Sequence, residues 1–359
     1  MPEDFLSRVR RGEPVLLAEG YVFELERRGY LQAGPFCPVA VVKHPDVVRQ
    51  LHHEFYRAGS DVQQALTAGL SPRCFYANPG KLKVAGAAAT FEKLNRRALK
   101  IAKEVATETE TLMCGDLSLT QEYDPDRPET TQRVYDIFKN QVLWAVEASA
   151  DFIVAETFHC YGEAELALRA IKEHGNGVPS VVMFSGPFQN DNKTVEGIDL
   201  NDALRKLHQL GADVVGFNCF SGPRTMVERV KSAREALGDD VPLAALAVPY
   251  DTTPEQHNIL AFKTKSGERS FFDDLDGHMV AQSEFDAFAR ECQRLKVAVA
   301  GICCGNSPRY FRRLAEAYGR KPPASAYSSN MRKKHAVFGS DADVGLVEST
   351  KKQTEHYGT

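Results

Sequence analysis

Short apolar runs rich in β-branched residues alternate with segments of helical period along almost the whole chain, and this alternation limits the fold more than any single residue does. The runs are Pro14-Val15-Leu16-Leu17-Ala18 and then residues 60–65, 111–115, 151–155, 179–184, 213–217, 242–248 and 297–302. Apolar residues at helical spacing predict helices near 46–57, 92–109, 133–148, 162–174, 201–210, 225–237, 283–295 and 309–318. Parallel strands cannot be joined by tight hairpins, so strands separated by helices of this length pair in parallel with right-handed crossovers. About eight such units close into a (β/α)8 barrel, whose working residues stand at strand C-termini. An open doubly wound sheet is the alternative, but no Gly-x-Gly-x-x-Gly follows the first run, which favours the barrel.

The length of 359 residues fits one large barrel, expected over residues 1–325, with a polar, weakly periodic tail over 326–359 after the helix stop Lys321-Pro322-Pro323. Glycine- and proline-containing stretches such as 263–277 read as loops, and no internal repeat is evident. A net charge of −4 leaves no basic surplus for nucleic acid or an anionic membrane. The N-terminus lacks the apolar core of a signal peptide, and no run of about 18 apolar residues occurs, so a cytoplasmic protein is expected. There the eight cysteines are thiols or metal ligands. Cys37, Cys74, Cys114, Cys160 and Cys292 read as structural thiols, and Trp144 reads as core.

Three thiols stand apart from these. Cys219 follows the run 212–215, and Cys303-Cys304 follow 297–300, so all three fall at strand ends. Three soft donors there suggest zinc with one position open to a substrate thiol, the chemistry of alkyl transfer to sulfur. Adjacent cysteines on a strand point to opposite faces, so joint ligation needs a turn, which Gly301 and Gly305 permit. The plainer reading is buried core cysteines. Tyr250 and Asp251 line the mouth or lie on the surface, and Ser185-Gly186-Pro187 reads as a backbone turn.

Gly216-Phe217-Asn218-Cys219 and Gly301-Ile302-Cys303-Cys304-Gly305-Asn306-Ser307-Pro308 resemble the G-x-N-C and G-G-C-C-G-x-x-P segments of the homocysteine S-methyltransferase family, with its betaine-dependent branch the nearest. The resemblance extends through residues 20–30, Ala33-Gly34-Pro35-Phe36, Ala155-Glu156-Thr157-Phe158 and Pro322-Pro323-Ala324-Ser325. It implies a barrel that binds Zn2+ through Cys219, Cys303 and Cys304. It also implies Glu156 as the group that holds the homocysteine ammonium, and Thr67, Phe36 and Asn218 as substrate contacts.

The chain departs from the family pattern around the substrate. The family's D-G-G after the first strand is Ala18-Glu19-Gly20 here, which makes Glu19 a substitute catalytic acid if the backbone turns it inward. The second-strand run is Gln64-Ala65-Leu66-Thr67-Ala68-Gly69, without the family's aromatics. Phe36 and Thr157 replace a tryptophan and a tyrosine of the betaine branch. One reading is therefore a zinc-dependent S-methyltransferase that moves a methyl group from an onium donor such as betaine to homocysteine or a related thiol. The other is a relative that keeps zinc, has lost methyl transfer, and binds a different ligand or catalyses a different reaction. Homo-oligomerisation stays open, because the tail does not resemble the long arm through which betaine enzymes dimerise.

Overall fold

The computed structural model describes residues 3–32, 38–67, 87–186, 192–272 and 274–329. Phe36, Ala68, Gly69, Cys37, Cys74, Pro187 and residues 330–359 of the tail lie outside that range. Eight strands form one parallel sheet: β1 (Val15–Ala18), β2 (Val62–Gln64), β3 (Leu112–Ser118), β4 (Phe152–Phe158), β5 (Ser180–Ser185), β6 (Val214–Asn218), β7 (Leu243–Ala247) and β8 (Val297–Ile302). Their order β1-β8-β7-β6-β5-β4-β3-β2 brings β1 and β2 to the two ends of the hydrogen-bonded ladder. Asp61 N–H donates to the Leu16 carbonyl across that gap at 2.9 Å, so the barrel is nearly closed.

The helices are α1 (Phe5–Arg10), α2 (Tyr21–Arg27), α3 (Ala40–Lys43), α4 (Pro45–Ala58), α5 (Ala87–Thr109), α6 (Glu129–Glu147), α7 (Tyr161–His174), α8 (Leu200–Gln209), α9 (Pro223–Leu237), α10 (Glu284–Arg294) and α11 (Pro308–Ala317). The eight expected helices are present, though α5 and α6 start earlier than their apolar periodicity, and the second strand is shorter than the run that predicts it. Three short helices carry too few turns to show a period: α1, α2 and α3. Trp144 is half-buried at the edge of the core, its ring 5.6 Å from the Arg96 guanidinium.

Strand alternation divides the core. Val15, Leu17, Val154, Met183, Val214, Leu246 and Val299 face the barrel interior, while Leu16, Ala18, Ile153, Val182, Val215 and Ala300 pack under the helices. Phe5 of α1 plugs the interior from below, its ring stacked 4.1 Å from that of Phe152. One device recurs at this floor. Asp61, Asp151 and Asp213, each just before an even-numbered strand, accept from the N–H of the preceding odd-numbered strand: Leu16 at 2.8 Å, Met113 at 2.7 Å and Ser180 at 2.8 Å. Asp61 also pairs with Arg8 at 2.9 Å and with Arg320. No helix of the described residues is long and apolar enough to cross a membrane.

Candidate metal centre

At the opposite end the inward columns of β1, β3, β4, β6 and β8 finish in polar residues. Continuing the alternation of Val15 and Leu17 puts Glu19 on the interior side, while Ala18 packs outward. The acid one position past Ala18 thus points to the barrel mouth without any bulge. Its backbone is held by β8 and the loop beyond: Glu19 N–H donates to the Ile302 carbonyl at 3.0 Å, and Asn306 Nδ2 donates to the Glu19 carbonyl at 3.0 Å. Gly20, at φ +91°, turns the chain into α2; a Cβ there would lie 2.8 Å from the Cys303 carbonyl.

β8 ends at Ile302, and Asn306 N–H closes a turn on the Cys303 carbonyl at 2.9 Å with Gly305 at φ +87°. The turn brings Cys303 and Cys304 Sγ to 3.8 Å of each other. Cys219, just beyond β6, and Phe220 after it are both left-handed, at φ 58° and 54°, a conformation that side chains other than glycine rarely adopt. The three sulfurs lie within 4.8 Å of one another. Hydrogen bonds from Cys303 and Cys304 hold the Cys219 thiol well below its ordinary range. Burial raises Cys303 well above it, and its bond to Cys219 does the same for Cys304. A divalent cation held by the three sulfurs would favour the ionised form of each.

Glu156 finishes the interior column of β4. A register irregularity after Ala155 and a left-handed Thr157, at φ 62°, return Phe158 to the helix side while Glu156 stays inward. Gln64 Nε2 donates to Glu156 Oε1 at 3.0 Å, Thr157 Oγ1 donates to Oε2 at 3.1 Å, and Asn218 Nδ2 donates to Oε2. Burial, followed by the charge of Cys219, pushes Glu156 up to about 7. Glu19 is also raised well above the usual carboxylate range, by burial and by Glu156. Glu19, Glu156 and Cys303 offer ligand atoms within 4.8 Å of one another, so two donor clusters share Cys303.

These groups line a cavity of about 500 Å³, with Asp116 and Gln64 beside the carboxylates and Phe23, Phe220, Ile259 and Phe271 on the apolar side. Two expected substrate contacts stand behind its wall. Thr67 is buried with its hydroxyl donating to the Asp116 carbonyl at 2.6 Å, and Asn218 is fully buried, its Oδ1 accepting from Thr157 N–H at 2.9 Å. Tyr250 is buried as well, with its hydroxyl 3.3 Å from Arg27 Nη2, whereas Asp251 is exposed.

Sequence reasoning overlooks Asp116 and Gln64, although period two along Leu112-Cys114-Asp116 and Val62-Gln64 carries the signal. It also overlooks His159, which lines the cavity stacked on Phe220 at 5.6 Å, and which burial pushes down to about 4, keeping the ring neutral. Phe23 comes from the short helix α2, and Phe220 and Phe271 from two separate loops, and no local pattern marks the three as one wall.

The donor set fits zinc. Ligand bonds of about 2.3 Å in a tetrahedron place sulfurs about 3.8 Å apart, which small side-chain rotations of these three thiols reach.

The family model for homocysteine S-methyltransferase matches residues 16–318. Betaine–homocysteine S-methyltransferase 1 of Rattus norvegicus is 34% identical over 354 residues, covering 94% of this chain and 80% of the relative. S-methylmethionine–homocysteine S-methyltransferase BHMT2 of Mus musculus is 33% identical over 357 residues, covering 96% and 88%. Among solved structures, the metallated form of the homocysteine methyltransferase MmuM from Escherichia coli shares the fold, with a TM-score of 0.63 at 18% identity over 88% of this chain and 96% of that one. A family match over most of the barrel and relatives at a third identity across nearly the whole chain agree, and the chain belongs to the homocysteine S-methyltransferase family.

Proposed function

We propose that this protein is a zinc-dependent S-methyltransferase that moves a methyl group from an onium donor to homocysteine, giving methionine. The observation that carries this reading is the meeting of three sulfurs and an oriented, buried carboxylate in one cavity. Cys219, Cys303 and Cys304 would hold the zinc ion, which would supply the Lewis acidity that lowers the pKa of a substrate thiol towards neutrality.

The remaining work belongs to side chains. Glu156 is fixed by three donors and pairs with the amino group of the bound amino acid; an ammonium there offsets the burial that raises its carboxyl. Asn218 and Thr67 support the wall from behind and set its shape. Phe23, Phe220 and Phe271 offer ring faces to a positively charged donor, a contact worth up to about 2 kcal/mol when desolvated. This apolar side excludes water and aligns sulfur, methyl carbon and leaving group. Relatives are named for betaine, an ammonium, and for S-methylmethionine, a sulfonium, and a phenylalanine wall suits either charge. Reduced thiols persist in the cytoplasm, and we place the protein there.

Purified protein with zinc, homocysteine and a panel of betaine, S-methylmethionine, dimethylsulfoniopropionate and S-adenosylmethionine, followed by mass spectrometry, should yield methionine with at least one donor. No methionine with any of them overturns methyl transfer and leaves a zinc-binding relative with another task. Cys303→Ala should lose its zinc; unchanged metal content would remove the ligand assignment.

A further inference from the structure

The charges around the cavity are unevenly placed. Its acids, Glu19, Asp116 and Glu156, stand on or just past β1, β3 and β4, whereas His159 and Phe220, stacked ring on ring, form the side towards β5 and β6. A polar layer backs these two rings. Ser185 Oγ, at the end of β5, is 2.5 Å from His159 Nδ1, and Ser221, which follows Phe220, accepts from Arg229 Nε of α9 at 3.0 Å. Gly186 joins the two pairs, since a Cβ there would lie 2.7 Å from Ser221 Oγ and 3.5 Å from Arg229 Nη2. Ser221 is fully buried and Arg229 is half-buried. The other arginines drawn into the molecule are better matched: Arg8 and Arg28 pair with acids, and Arg234 donates to the carbonyls of Leu295, Gly238, Val241 and Lys296. Among the described residues Arg229 has the Ser221 hydroxyl as its partner and no carboxylate. Burial pushes its pKa down to about 10. A cation desolvated in this way without a counter-ion is unfavourable, and it leaves the β5–β6 side of the mouth electropositive.

We propose that this layer is a carboxylate subsite for the methyl donor, with His159 at the cavity wall and Arg229 behind it as the positioning residue that selects for negative charge. This rests on the methyl-transfer reading given above. Betaine, S-methylmethionine and dimethylsulfoniopropionate each join an onium centre to a carboxylate. With the onium centre among the phenylalanine faces, the carboxylate is repelled by Glu19, Asp116 and Glu156 and turns to the side whose nearest charge is positive. When the Ser185 hydroxyl donates to Nδ1, the neutral His159 ring carries its hydrogen on Nε2 and donates it to that carboxylate. Arg229 acts through the wall without touching the donor, because charges separated by packed side chains are little screened by water.

The test uses full-length, zinc-loaded protein and two matched pairs of ligands: betaine with its methyl ester, and dimethylsulfoniopropionate with its methyl ester. Binding is measured by calorimetry in the presence of 2-aminobutanoate, which has the backbone of homocysteine but no thiol, so no methyl transfer intervenes. Wild type should bind at least one free acid about tenfold more tightly than its ester. Arg229→Gln keeps a donor for Ser221 but loses the charge, and should reduce that preference to about threefold or less. Arg229→Lys keeps the charge and should retain most of the preference. Homocysteine affinity, measured separately, should be the same in all three proteins.

Equal affinity of the wild type for acid and ester, or binding of neither, would overturn the subsite. A preference that survives Arg229→Gln would overturn it too, by making Arg229 a prop for Ser221. Homocysteine affinity that falls in Arg229→Gln while the donor preference stays would assign the layer to the carboxylate of the amino acid and overturn the donor assignment. No transfer takes place in these measurements, so failure of the subsite is distinct from failure of methyl transfer, which the methionine assay reads.

Discussion

The two ends of the barrel use the same kind of residue in opposite circumstances. At the floor, Asp61, Asp151 and Asp213 each take a backbone N–H from the neighbouring strand, and cations reach two of them: Arg8 and Arg320 at Asp61, Lys172 at Asp213. At the mouth, Glu19 and Glu156 face each other and Cys303, and among the described residues no arginine or lysine pairs with either. Carboxylates at the floor stand beside backbone donors and, at two of the three, cations. Those at the mouth are buried without a cation beside them among the described residues, and burial raises both of them.

Substitutions can break this contrast, and Glu156→Gln should act most strongly. Losing one partner of a buried charge pair should raise KM for homocysteine about 100-fold with the zinc content intact, measured by steady-state kinetics. A KM within threefold of wild type would place the ammonium elsewhere. The same residue carries a pH signature in chelator-treated protein. The folded carboxyl keeps its proton up to about 7, above its ordinary value of 4.5, so its contribution to stability is full below about 4.5 and is lost as pH rises through about 7. Melting temperature should fall across that window, and Glu156→Gln should flatten the slope.

A floor substitution should do the reverse. Asp61→Ala strands Arg8, Arg320 and the Leu16 N–H, and should cost about 2–3 kcal/mol of stability in urea denaturation, discounted for partial exposure, with zinc content unchanged. Loss of zinc there would show that the two ends are coupled. The smallest effect is expected at Tyr250→Phe, which removes only the 3.3 Å contact to Arg27 and should cost no more than about 1 kcal/mol in the same assay.

Much of this was legible from period alone. Alternation of apolar runs with helical segments is a property of every strand and crossover, so the barrel is written redundantly. The cysteines are legible for a related reason, since each follows a run whose end can be located. Glu19 shows where that reasoning needs one more step: counting by two from Leu17 aims it inward, but only the turn at Gly20 and the Asn306 clamp fix its carboxylate beside Cys303. The aromatic side of the cavity was not legible, because Phe23 of α2 meets Phe220 and Phe271 of two loops far from it in the chain. The floor acids escaped notice for a different reason. An aspartate before a strand reads as an ordinary loop residue until the neighbouring N–H is seen to point at it.

The clamp at Asp61 has a consequence for how the molecule is made. Arg8 and Arg320 both donate to the Pro14 carbonyl, at 3.1 and 2.8 Å, as well as pairing with Asp61. The start of the chain and a residue more than 300 positions later, by that contact's own separation of 306, therefore meet at one point. During synthesis the first strand waits with its edge open until β8, its ladder partner, has left the ribosome, and the clamp at Arg320 closes later still; contacts of such long range form slowly. Nascent chains ending before β8 should thus be held by chaperones longer than the full chain, and their exposed β1 edge is where they would first mispair.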